Sequence, residues 1–256
     1  MNSTRSGHLS GAQLKLIAVF SMLTDHMAVA LIHNVYLTSG DLSPGSIRFL
    51  RNLYILMRSL GRPAFPIYCF FLVQGFLYTH SRRVYTLRLL LFGLISEVPF
   101  DLALYRTVWH PSHQNVMFEL AAAVIMLTLF ESIRSVRSFR IAGRTLRLSR
   151  PFPIVAAFLS SILCMGIAEL LRLDYSWMGL CLILLLYVTR TSPKLQCATG
   201  AAFTALFEPA GAAAFLLLYV YSGQRGRQKK YFFYAFYPAH LLLLAAAEAF
   251  LIRFWS

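Results

Sequence analysis

Acidic residues are scarce in this chain of 256 residues: ten Asp and Glu stand against 24 Lys and Arg. Charged residues make up 13% of the sequence and hydrophobic residues 58%, with a mean hydropathy of +0.61. A soluble domain of this length has too little core to hide so much apolar surface, so that class is excluded. The apolar runs also lack the alternation of membrane strands, and they predict membrane-spanning helices.

Cysteine is also rare, and so are nucleotide motifs. All four cysteines lie in apolar segments without the spacing of a CxxC or zinc motif: Cys69, Cys164, Cys181 and Cys197. We therefore expect buried free thiols and no metal site. The sequence contains no GxGxxG or Walker loop, and its two halves show no convincing repeat.

The hydrophobic runs predict an all-α, polytopic transmembrane helical bundle with about nine spans (eight to ten) in a single domain, 1–256. The predicted spans are 14–36, 63–80, 86–105, 115–133, 152–172, 176–189, 195–207, 210–222 and 231–253. The sixth to eighth are shorter than the ~20 residues of a full crossing, which favours tilted, broken or re-entrant helices there.

A segment near 44–61 has a different pattern. It starts at Ser43-Pro44, ends at Gly61, and repeats its apolar residues at helical spacing. It is predicted to be an amphipathic helix in the outer membrane interface, with a tenth span as the alternative.

The net charge of +14 is spread over short loops between the apolar runs. This distribution is typical of membrane topology and argues against nucleic acid as a partner. The basic loops near 82–83, 134–150, 190–194 and 225–230 predict a cytoplasmic N-terminus in a bacterial-type cytoplasmic membrane. With nine spans the C-terminus is then outside.

Ionisable residues inside spans cost at least ~2.5–3.5 kcal/mol on insertion scales and therefore indicate function. Asp25 and His26 lie near the middle of the first span, LIAVFSMLTDHMAVALI. Glu97 and Asp101 lie in the outer half of the third span, where Pro99 predicts a break in the helix.

We expect His26 to act as a general base whose imidazole is held by a carboxylate. Neighbouring helical residues diverge by ~100°, so Asp25 does not suit this role. Glu97 and Asp101 are the expected partners, and Asp25 is left to bind Arg62 or a backbone amide. All four of the site residues Asp25, His26, Glu97 and Asp101 are predicted to act in catalysis.

Six segments, spread from about Leu14 to Leu244, resemble the TraX family: TDHMA, GRPAFPIYCFFLVQGF, RLLLFGLISEVPFDL, QNVMF, AELLRLDYSWMGLCLILLLYV and KYFFYAFYPAHLLLL. The resemblance implies a membrane enzyme of the kind that N-acetylates conjugative pilin. This family looks related to membrane-bound acyltransferases that use acyl-CoA. Those enzymes have a basic residue, ten intervening residues and a catalytic His in the first helix, and Lys15 and His26 match that spacing.

The resemblance also implies roles for other residues. The acyl donor would be cytoplasmic acetyl-CoA, and the acceptor an amine or hydroxyl of a peptide, a sugar or an envelope component outside. Basic side chains near the inner face would bind the anionic donor: Lys15, Arg82, Arg83 and Arg88. Outer polar side chains would contact substrate or the oxyanion: Arg62, Gln114, Asn115 and His240. Direct transfer and an acetyl-His intermediate both remain open.

Two other classes are also open. A proton-coupled transporter would place His and carboxylates in broken membrane helices too. A non-catalytic pilus or envelope assembly factor would share the span pattern. Binding of CoA from the inner face distinguishes the enzyme, and proton-linked flux distinguishes the transporter.

Overall fold

The computed structural model describes residues 7–38, 42–141, 144–149, 151–227 and 230–255. Helices dominate these residues. They are α1 (Gly11–Met27), which continues as a π-helix (Ala28–Leu37), α2 (Pro44–Gly61), α3 (Ala64–Tyr78), α4 (Arg82–Tyr105), α5 (Val116–Ser135), α6 (Pro151–Leu170), α7 (Ser176–Val188), α8 (Pro193–Phe207), a 3₁₀ turn (Pro209–Ala213), α9 (Ala214–Tyr219) and α10 (Lys230–Trp255).

A short hairpin joins α5 to α6. Its strands β1 (Ser138–Ile141) and β2 (Arg144–Arg147) are antiparallel, with Ser138 opposite Arg147. The sequence patterns did not predict these strands. Two basic residues counted in the topology argument, Arg150 and Lys229, lie outside the described residues.

Side-chain caps set where several helices begin. Ser10 and Gln13 form a capping box at α1, and the hydroxyls of Ser43 and Ser81 accept from the first turns of α2 and α4. Asn115 caps α5 in the same way. A cap satisfies backbone N–H groups that a helix cannot pair internally, so each start is specified locally.

The all-α class is confirmed, but the count of nine spans is not. Five segments of the described chain are long and apolar enough to cross a membrane: Gly11–Leu37, Pro44–Tyr78, Val116–Ser135, Pro151–Leu170 and Tyr231–Phe254. Helix α4 is long but carries five charged residues, and α7, with 13 residues, reaches only ~20 Å. The predicted short spans are therefore short helices, since a crossing needs ~30 Å.

Two local predictions have different outcomes. The helix expected near 44–61 forms as α2, and Gly61 is its buried residue. The break expected at Pro99 is wrong, because α4 continues through it from Arg82 to Tyr105. Helices α5 and α10 pack along α4 and support it, as neighbouring helices do for prolines within membrane helices.

Packing places the first and last helices side by side. Helix α10 packs against α4, the π-helix and α1, while α3 packs against α1, α7 and α9. Leu9 pairs with Tyr221 at one end of the bundle, and Gln114 pairs with Leu173 at the other. Between these ends the buried side chains form a continuous apolar core that includes Phe70, Phe76 and Tyr187.

Gly61 lets α2 approach α1 at Asp25. A Cβ added at Gly61 would lie 2.6 Å from Asp25 Oδ1 and 2.8 Å from its Cα. Because backbone atoms of α1 cannot move aside cheaply, we expect Gly61→Ala to destabilise the fold by about 1–3 kcal/mol. Thermal unfolding in detergent measures this change.

Gly166→Ala is the matched control. It lies inside α6 with no atom within 4 Å of an added Cβ, so alanine should be neutral or stabilise by up to ~1 kcal/mol. Equal melting temperatures for the Gly61→Ala protein and wild type would contradict the close approach of α2.

Candidate active site

A cavity of about 290 Å³ lies between α1, α2, α3, α4, α5 and α10. Its wall contains ionisable and aromatic groups, among them Asp25, His26, Arg58, Arg62, Asp174 and Tyr237. Of the twelve residues predicted for the site, three therefore line it: Asp25, His26 and Arg62. A polar cavity within apolar helices is a typical place for function in a membrane protein.

His26 is held by a second histidine. Its Nδ1 lies 2.7 Å from Nε2 of His240 in α10, and the rings stack with centroids 5.0 Å apart. His240 Nδ1 lies 2.8 Å from the backbone carbonyl of Phe236. His240 does not line the cavity, so its predicted contact with substrate is replaced by contact with His26.

This chain of hydrogen bonds defines both tautomers when the rings are neutral. A carbonyl can only accept, so His240 Nδ1 carries the proton and its Nε2 is an acceptor. His26 Nδ1 must then donate to His240. The remaining nitrogen of His26, Nε2, therefore carries a lone pair, which is what a general base requires.

The prediction that Glu97 or Asp101 holds His26 is wrong. Glu97 accepts from the backbone N–H and the side-chain amide of Asn115, and Asp101 accepts from the His110 N–H at 2.7 Å. Both carboxylates are buried, and both serve the loop between α4 and α5. They lie four residues apart on one face of α4, and neither of them lines the cavity.

The partner of Asp25 is Arg58, whereas the sequence predicted Arg62 or a backbone amide. Asp25 binds Arg58 of α2, while Arg62 pairs with Glu208 at 3.1 Å. The other oxygen of Asp25 is buried and has no hydrogen-bond partner among the described residues. A signal for Arg58 was present, since it lies four residues before Arg62 on the same helical face.

The two predicted oxyanion donors lie outside the cavity wall. Asn115 accepts from the Met117 N–H at 3.0 Å and donates its amide to Glu97 and to the Gly93 carbonyl. Gln114 donates to the Pro111 carbonyl at 3.4 Å. Asn115 is therefore a helix cap whose donors are used, and its predicted contact with the reacting group stays a prediction.

The predicted donor-binding cations gather at the far end of α1, and none of them lines the cavity. Lys15 lies 4.9 Å from the ring centroid of Phe71 and 5.6 Å from that of Phe233. Arg88 lies 6.0 Å from the ring of the adjacent Tyr234. Lys15 and Arg88 thus meet the same turn of α10.

The other two cations of this set stand slightly apart. Arg82 stacks on Phe76, 4.2 Å from its centroid, and Arg83 is exposed. His26 follows Lys15 by eleven positions, which is three helical turns to within ~20°. The two side chains therefore lie on the same face of α1, ~16 Å apart along the helix axis.

Two loops meet at the opposite end of the cavity. His113 Nε2 lies 3.0 Å from Asp174 Oδ1, and Arg172 donates to Ser112 at 3.1 Å. His113 and Asp174 both line the cavity. The hydrogen bond to the Asp174 carboxylate raises the pKa of His113 above its ordinary value, although partial burial opposes the shift.

Apolar helices that enclose a cavity with ionisable walls define a polytopic helical membrane protein with an internal site. Residues 10–247 match the profile of the family described as TraX protein, and the chain belongs to this family. It is 30% identical to the probable fimbrial assembly protein FimC, serogroup H1, of Dichelobacter nodosus, over 97% of this chain and 99% of that protein. No solved structure matches the chain.

The His113–Asp174 pair predicts a pH-dependent stability. A raised pKa means that the folded state favours the protonated ring, so the stabilisation is full below the unfolded pKa of ~6.5 and is lost as pH rises through the folded pKa. Since the pair is partly exposed, we expect at most about 1 kcal/mol. His113→Gln should lower the melting temperature most below pH 6.5 and least at high pH.

His80→Gln is the control, because His80 is exposed at the other end of the bundle. The difference in melting temperature between His80→Gln and wild type should not vary with pH in this way. A His113→Gln effect that grows with pH would contradict the ion pair.

Proposed function

We propose that this protein transfers an acetyl group from acetyl-CoA to an amine or hydroxyl acceptor inside the cavity, with His26 as the general base. One observation carries the proposal: His240 fixes one nitrogen of His26, and His26 also lines the cavity. The ring is therefore oriented by a group from another helix, as a general base needs.

The reaction requires one proton transfer at His26. Nε2 takes the proton of the attacking amine or hydroxyl, and the imidazolium returns it to the departing CoA sulfur. Asp25 contributes by neutralising Arg58, whose positive charge acts on His26 and would oppose formation of the imidazolium. Hydrogen bonding of Nδ1 to His240 keeps the ring from turning away between these two transfers.

The basic end of the bundle fits an anionic donor. Lys15 lies close enough to Arg225 for their charges to interact, and Arg88 reaches the same turn of α10. Like charges held together gain from a bound phosphate, which accepts hydrogen bonds from both. Because Lys15 and His26 share one face of α1, a donor anchored at Lys15 would extend toward the cavity along that face.

The comparisons support a link to pili. TraX proteins are known in general for acetylation of pilin, and the relative in Dichelobacter nodosus is named for fimbrial assembly. Our proposed acceptor is accordingly a component of the pilus or cell envelope, either a peptide amine or a sugar hydroxyl. The N-terminus and Lys15 would face the cytoplasm, and the cavity loops the outside.

A non-catalytic role in fimbrial assembly is the second candidate, and the name of that relative favours it. The oriented His26 favours catalysis instead, since an assembly factor has no use for a base in a cavity. Titration of purified protein with acetyl-CoA separates the two. Saturable binding supports the enzyme, and no binding to folded protein at millimolar acetyl-CoA would overturn it.

We expect His26→Ala to reduce acetyl transfer by about 10²–10⁴-fold while the Kd for acetyl-CoA stays unchanged, because the donor is anchored elsewhere. Release of CoA thiol is measured with glycinamide as an amine probe and methyl glucoside as a hydroxyl probe. His33→Ala is the matched control, as His33 lies on the π-helix and does not line the cavity. Near-normal transfer by His26→Ala would remove His26 from the mechanism.

Lys15→Ala should raise the KM for acetyl-CoA more than it lowers kcat, because it removes a charge that binds donor and transition state equally. Lys194→Ala removes a cation from the start of α8 instead and should leave KM unchanged. Initial rates over a series of acetyl-CoA concentrations give both constants. Equal KM values for the Lys15→Ala protein and wild type would reject donor binding at Lys15.

A further inference from the structure

The proposed reaction needs a donor for the negative charge that forms on the acetyl oxygen, and Asn115 and Gln114 do not supply it. Tyr237 lies where such a donor is required. It is 2% exposed, it lines the cavity, and its ring centroid is 6.2 Å from that of His26, edge to face. Tyr237 and His240 belong to the same FYPAH segment of α10.

The hydroxyl of Tyr237 is oriented by the start of α5. The backbone N–H of Val116, the first residue of α5, is the backbone group that interacts with this hydroxyl. Val116 also lines the cavity. A phenol oxygen that accepts from a backbone N–H keeps its own proton for a second partner.

Two features make the Tyr237 hydroxyl a good hydrogen-bond donor to an anion. The hydroxyl lies at the positive end of a helix of 20 residues, which favours negative charge nearby. A hydrogen bond received from a backbone N–H also polarises the O–H group that donates onward. Since the hydroxyl is already positioned, it does not have to reorganise during the reaction.

Of the other donors in the cavity wall, the charged ones are paired, and the hydroxyls of Tyr54, Tyr105 and Tyr175 belong to residues less buried than Tyr237. Arg58 is bound to Asp25, Arg62 to Glu208, and His113 to Asp174. Tyr68 also lines the cavity, but its hydroxyl has no backbone N–H behind it among the described contacts. Tyr237 is therefore the buried donor that combines support from a helix start with a place beside His26.

We propose that Tyr237 is a catalytic residue that donates its hydroxyl hydrogen bond to the acetyl oxygen as negative charge develops there. This inference rests on the proposed acetyl transfer and assigns a second group to the same site. His26 and Tyr237 then divide the work: His26 moves the proton, and Tyr237 stabilises the charge.

The acceptor nitrogen or oxygen attacks the thioester carbonyl carbon and forms the new bond, and the carbonyl electrons move onto the oxygen that Tyr237 binds. His26 Nε2 takes the acceptor proton. When the carbonyl re-forms, the C–S bond breaks, and CoA leaves as a thiol with the proton from His26.

The test compares Tyr237→Phe with Tyr187→Phe in full-length protein, by release of CoA thiol with glycinamide or methyl glucoside; Tyr187 is equally buried but does not line the cavity. Loss of one oxyanion donor costs about 10²–10³-fold in kcat, so we expect this loss for Tyr237→Phe. Its Kd for acetyl-CoA and its melting temperature should match wild type. Tyr187→Phe should retain near-normal kcat.

A kcat for Tyr237→Phe near wild type would overturn the assignment, and so would an equal loss in both variants, which would indicate packing. A loss that is matched by weaker acetyl-CoA binding would also overturn it, since the effect would then lie in the ground state. If wild-type protein neither binds acetyl-CoA nor releases CoA, the proposed function itself fails. If only the assignment of Tyr237 is wrong, wild-type protein still turns over acetyl-CoA, and His26→Ala still loses this activity.

Discussion

The hydrogen bond between His26 and His240 is the interaction on which the site depends. It joins the first helix of the bundle to the last. The same contact therefore holds α1 beside α10 and orients the ring of His26. Within a hydrocarbon layer a polar group finds no water and must be satisfied by protein. The backbone carbonyl of Phe236 is the last acceptor in this series of hydrogen bonds and thereby orients both rings. The same constraint that makes histidine costly in a membrane helix therefore also defines which nitrogen is basic.

The remaining charges follow the same rule, and their partners come mostly from other helices. Asp25 joins α1 to α2, Arg62 joins α2 to the turn after α8, and Glu248 of α10 lies 3.3 Å from Arg106 at the end of α4. Such pairs contribute little net stability when they are desolvated, but loss of one partner leaves a costly charge. They therefore specify which helices are neighbours.

Much of the fold was predictable from local signals. Ser43, Pro44 and Gly61 mark α2 because a capping hydroxyl and a helix stop act within one turn. The roles of Glu97 and Asn115 were not predictable in this way. Depth in the membrane placed them near His26, but depth does not say which face of a helix meets which neighbour. Their partnership depends on how α4 and α5 pack, and that is a tertiary property.

The spacing of Lys15 and His26 acquires a physical meaning from the helix that carries them. Ala18 and Met22 lie between them on the same face of α1, and both are buried against the core. In the proposed function, a donor held at Lys15 would reach His26 along this face, where α1 packs against α3 and α10. Such binding would have to separate α1 from one of these helices. The small side chain of Ala18 would keep that separation short, whereas a bulky residue there would force the helices further apart.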